Sequence, residues 1–126
     1  ASLKACDHTI GNTSSLKLSE KLIMAERYYE AKNYNESVSL YEEIISIKPD
    51  CVGALYMLGK SYGRLAQNSS WLKAINYAKK TRKAFEKAYS LNPDSEEIKR
   101  DLVEFYLEAP RFLGGSNKKA QILMAK

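Results

Sequence analysis

Apolar side chains recur three and four residues apart along most of this chain, broken by short polar stretches, and that spacing predicts helices. A first helix is predicted over residues 18–32, with Leu22, Met24, Ala25 and Tyr28 as its packed stripe and Ser19 as N-cap. Asn33-Tyr34-Asn35 is the turn into a second helix over 35–47, with Val38, Tyr41, Ile44 and Ile45 inward. Pro49 closes that unit, because the residue before a proline resists helical geometry. A third helix is predicted over 51–66, burying Leu55, Leu58, Gly59 and Tyr62. The fourth is long, 70–91, with Trp71, Ile75, Ala78, Phe85 and Ala88 on its apolar side. The fifth covers 95–108 with Leu102, Val103 and Tyr106 inward. Pro110 stops it, Gly114-Gly115 permit backbone angles that other residues avoid, and a short helix begins near Ser116. Residues 1–17 are polar and read as a tail or strapped-down arm.

The stripes repeat. Met24, Ala25 and Tyr28 are echoed 34 residues later by Leu58, Gly59 and Tyr62. Ile47-Lys48-Pro49-Asp50 returns as Leu91-Asn92-Pro93-Asp94, 44 residues on, and Tyr41 to Phe85 has the same longer spacing. A period near 34 predicts helical hairpins, each unable to bury its apolar face alone and so stacked on its neighbours. The extra ten residues fall between Tyr62 and Thr81. Placed in the fourth helix, they lengthen that hairpin by up to about 15 Å. The expected fold is an all-α solenoid of three hairpins over residues 18–50, 51–94 and 95–126, the second with an elongated second helix.

A chain of 126 residues with 44% hydrophobic content suits one domain with a core. No stretch approaches the roughly 20 apolar residues of a membrane span. The net charge of +5 is modest but segregated: residues 60–90 are basic and 94–108 acidic. Cys6 and Cys51, the two cysteines, leave a disulfide and a pair of thiols both open. The single histidine, His8, lies in the tail beside Asp7 and Cys6, and nothing fixes it for nucleophilic or metal chemistry. Gly114-Gly115 lacks the lysine and serine of a phosphate-cradling loop. No catalytic residue, metal ligand or cofactor is expected.

Tyr28, Tyr29, Asn33-Tyr34-Asn35-Glu36-Ser37, Tyr41, Ile44 and Pro49 resemble the tetratricopeptide repeat (TPR) family, and the likeness extends over residues 18–126. Leu58-Gly59-Lys60-Ser61-Tyr62-Gly63-Arg64, Lys79-Lys80-Thr81-Arg82-Lys83, Glu104-Phe105-Tyr106-Leu107-Glu108-Ala109-Pro110 and Gly114-Gly115 are similar to a group of bacterial TPR proteins with an elongated second repeat, many of them apparently exported. Two departures stand out: Lys21 replaces the family's early tryptophan, and the second repeat is too long. The resemblance implies a non-catalytic interaction module, periplasmic or otherwise exported, with a cytoplasmic location as the alternative.

In such stacks the first helix of each hairpin lines a groove. Three rows are read across the repeats: Leu22, Tyr56, Arg100; Glu26, Lys60, Glu104; and Glu30, Arg64, Glu108. The last two alternate in sign, so Lys60 and Arg64 are expected to bridge acidic neighbours or to recognise a mixed-charge protein or peptide segment, with Tyr29 and Tyr56 as aromatic anchors. Where family members that grip acidic chaperone tails carry lysine, asparagine and arginine, this chain has Leu22, Glu26, Met57, Glu97 and Asp101, so such tails are not expected as ligands. The alternative site is a basic face of Lys73, Lys80, Lys83 and Lys87 for an anionic polymer. Nucleic acid is one such polymer for the long helix 70–91, and the lack of a stacking platform beside that charge weighs against it. A small-molecule carrier is a third reading, one that needs an apolar cavity beside the long hairpin. The exposed C-terminal end is a candidate for self-association.

Overall fold

The computed structural model describes residues 13–126, which are helical almost throughout. Six helices follow one another: α1 (Thr13–Glu30), α2 (Tyr34–Ile47), α3 (Val52–Gln67), α4 (Trp71–Leu91), α5 (Glu96–Glu108) and α6 (Asn117–Met124), with a 3-10 turn at Arg111–Leu113 between the last two. Each helix packs on the next in the chain, and α3 on α4 most extensively. No strand occurs among the described residues.

Helix ends follow local chemistry. Ser95 accepts a hydrogen bond from the Ile98 amide at 3.2 Å and Ser116 one from the Lys119 amide at 3.1 Å, so both caps satisfy donors that the helix leaves unpaired. α1 begins at Thr13, earlier than the predicted residue 18, and Ser19 lies inside it and not at its cap. Residues 13–17 hold no proline or glycine to oppose extension. The tail expected over 1–17 is therefore helical from 13; the rest of it, with Cys6, Asp7 and His8, lies outside the described residues.

The core runs the length of the helical stack. Tyr41, Ile44, Ile98 and Leu102 are fully enclosed, with Leu55, Leu58, Phe85 and Ala88 between them. The leucine, isoleucine and phenylalanine side chains among them each contribute about 1.5–3 kcal/mol by leaving water. Three buried polar groups are satisfied. Ser37 and Ser61 hydroxyls share a bond at 2.7 Å, Ser61 donates to the Met57 carbonyl at 2.8 Å, and Thr81 donates to the Gly59 carbonyl at 3.2 Å. Tyr62 and Tyr106, 44 residues apart, are held alike. Tyr62 donates to Glu42 and Tyr106 to Glu86 at 2.5 Å, in each case twenty residues earlier. Lys80 stands over the first ring at 5.3 Å and Lys119 over the second at 5.7 Å.

Two residues expected in the core are exposed, and Tyr28, Ile75 and Ala78 are only half-buried at its edge. Met24 is 47% exposed, because the side of α1 that carries it meets no described helix, whereas its counterpart Leu58 is covered. Trp71 is 71% exposed, because it opens α4 at the tip of the hairpin. The paired glycines act differently from each other. Gly114 has φ 104°, the left-handed region, while a Cβ on Gly115 would sit 1.8 Å from the Ala109 carbonyl oxygen.

Candidate functional site

The ten additional residues divide between two helices. α3 runs five residues past Tyr62, where α1 runs two past Tyr28. α4 starts ten residues before Thr81, where α2 starts three before Ser37. The arm gains roughly 5 Å on one side and 10 Å on the other. The spacing placed all of it in the fourth helix with the first helix running to residue 32; α1 instead stops at Glu30, with Lys32 in the left-handed region, while α3 reaches Gln67 and so takes a share.

This arm forms one side of an open cleft of about 840 Å³. The opposite side is α5 together with Ala109, Pro110, Phe112 and Leu113. Ile75, Ala78 and Phe85 supply apolar lining from α4, Phe105 from α5 and Leu113 from the 3-10 turn. A Cβ on Gly59 would lie 2.6 Å from the Phe85 ring, so only glycine lets that ring seat against α3. Trp71 and Phe112, 71% and 64% exposed, are large apolar groups left at its margins.

The charges are sorted by side. Lys60 and Arg64 come from α3; Glu97, Asp101, Glu104 and Glu108, with Arg100, come from α5. The Tyr56 hydroxyl donates to Asp101 and ties the two sides together. Burial, then that carboxylate, pushes the Tyr56 pKa well above the ordinary tyrosine range. Lys60 stands over the rings of both Tyr29 and Tyr56, at 5.7 and 5.4 Å. Arg64 donates through Nε to the Tyr29 hydroxyl at 3.4 Å, and that contact raises its own pKa. The expected bridges from Lys60 and Arg64 to acidic neighbours are thus replaced by contacts with tyrosines.

Of the residues singled out in the sequence, Tyr29, Tyr56, Lys60, Arg64, Arg100 and Glu104 all line this cleft. Leu22 does not; it packs against the core. Glu26 does not line it either, and its charge acts on Tyr41. The basic face divides. Lys80 covers Tyr62, Lys73 lines a separate polar cleft, and Lys83 and Lys87 remain exposed on α4. Phe105 and Phe112 were not anticipated, since an aromatic beside a helix end reads as core. Among the described residues no three potential metal ligands cluster, and no helix is long and apolar enough to cross a membrane. Cys51, 1% exposed, is disulfide-bonded; Cys6, the chain's other cysteine, lies outside the described residues. Comparison of the chain with protein-family models, with curated proteins and with solved structures gives no match.

Proposed function

We propose that this chain is a non-catalytic scaffold of the tetratricopeptide type, three stacked hairpins long, that holds a protein or peptide partner in the cleft between its extended arm and α5. One observation carries this reading: an apolar trough with exposed Trp71 and Phe112 at its margins and opposite charges on its two sides. Exposed aromatic groups beside a desolvated floor are the usual anchors of an interface, and the sorted charges set the orientation of what lies between them. The carboxylates of α5 disfavour an acidic tail as the partner. The disulfide at Cys51 supports an exported, oxidising location for the scaffold.

The test uses the chain's single tryptophan, which lines the cleft. A partner captured by the intact protein is expected to shift Trp71 emission to the blue and to lose affinity on Phe112→Ala or Lys60→Ala. A partner that binds with Trp71 emission unchanged and survives both substitutions would place binding elsewhere. The carrier reading has support of its own, because about 840 Å³ lies within the size range of small-ligand pockets. Native mass spectrometry of the freshly isolated protein separates the two, since a carried molecule appears as a discrete added mass.

A further inference from the structure

A second cleft, of about 910 Å³, opens between the α1–α2 turn and the junction of α3 with α4. It shares Arg64 and Gln67 with the apolar cleft and is otherwise built from different residues. Three cations reach it from three separate places in the chain: Lys32 from the turn, Arg64 from α3 and Lys73 from α4. A single carboxylate, Glu36, faces them. Lys32 has φ 65°, a left-handed conformation that glycine adopts at no steric cost, yet this position carries an ammonium group.

The rest of the lining is matched to hydroxyl groups. Asn33, Asn35, Gln67 and Asn68 present side-chain amides, which both donate and accept. The Asn68 amide is tethered, donating to the Arg64 carbonyl at 3.1 Å. Two tyrosine rings complete the cleft, and each is steadied by a neighbouring ring. Tyr34 stands edge-on to Tyr29 with centroids 5.3 Å apart, and Tyr77 stacks with Tyr62 at 6.0 Å. Aromatic rings pack well against the C–H side of a sugar, and amides pair with hydroxyls.

We propose that this polar cleft is a binding site for an acidic saccharide, a sugar ring bearing a carboxylate or a phosphate. The cations select for charge, the amides for hydroxyls, and the scarcity of apolar lining disfavours an apolar ligand. The site stands apart from the partner-binding reading and survives if that reading fails.

The experiment is an NMR titration of the intact, oxidised protein with galacturonate, glucose 6-phosphate, galactose, inorganic phosphate and adenosine monophosphate. Both acidic sugars are expected to shift the amide resonances of Asn33, Asn68 and Lys73, and the tighter of the two identifies the preferred anion. Neutral galactose is expected to bind about tenfold more weakly, and added salt to weaken the acidic sugars. Lys73→Gln and Lys32→Gly each remove one cation, with an expected loss of about threefold in affinity. The Lys32→Gly variant keeps the backbone in its preferred conformation, so it isolates charge from folding. Equal binding of galactose, inorganic phosphate as tight as either sugar, tighter binding of the nucleotide, or no shift at these residues would overturn the proposal.

Discussion

Single atoms decide outcomes at two glycines of α3. A Cβ on Gly59 would meet the Phe85 ring at 2.6 Å, whereas one on Gly63 would find its nearest neighbour, Thr81, at 3.8 Å. Gly59→Ala is therefore expected to lower stability by about 1–3 kcal/mol through overpacking. Gly63→Ala is expected to raise it by about 0.5–1 kcal/mol, since the helix gains a better former at no steric cost. Urea denaturation of the two variants checks both signs. Tyrosines give a second prediction. Burial first, then hydrogen bonding to Glu42 and Glu86, raises the pKa of Tyr62 and Tyr106 well above the ordinary 10.0. The folded chain then holds these protons where the unfolded chain releases them. Their stabilisation is complete below pH 10 and declines as pH rises beyond it. Melting temperature is expected to stay level across neutral pH with respect to these groups and to fall above about pH 10. Tyr62→Phe should cost about 1 kcal/mol at neutral pH and make the alkaline fall shallower.

Elements show what the sequence made legible. The boundaries of α2 to α5 follow from the apolar spacing and from Pro49, Pro93 and Pro110, because covalent geometry at proline acts locally. Seven of the ten anticipated groove residues line one cleft, since a repeat carries side chains to corresponding places whatever their neighbours. Leu22, Glu26 and Glu30 escaped that logic; a row read along helices says nothing about where a gap opens between them. Met24 and Trp71 carried core chemistry but lie where no described helix covers them. Ser19 resembled a cap only because serine is common at helix starts. The arm itself is testable. Deleting residues 65–67 and 71–77 leaves the turn at 68–70 and makes the second hairpin match the first. Circular dichroism is expected to show a folded helical protein. Partner binding is expected to vanish, because Trp71 and Ile75 leave with the deleted segment.

For the whole molecule, Arg64 lines both clefts. An anion in the polar cleft competes with Tyr29 for its guanidinium and changes the charge presented to the apolar one. Arg64→Gln is thus expected to weaken binding at both sites, and a saturating acidic sugar to change partner affinity in the wild-type chain only, as titrations of each ligand with the other held constant will show. The disulfide at Cys51 gives a global prediction. Thiol titration is expected to find no free thiol until the protein is reduced, and reduction to cost about 2–4 kcal/mol of stability.

The way the arm is lengthened has a consequence for which lengths are admissible. Seven residues make about 1.9 turns and three about 0.8, so α3 and α4 leave the common part of the fold within roughly 60° of their original angular phase. An insertion of five residues in α4 would rotate its outer half by about 140° and swing lysines to where Trp71 and Ile75 now stand. The helical pitch thus quantises this arm: it can grow or shrink only in near-integral turns, and partner preference must change through side chains or in steps of a whole turn.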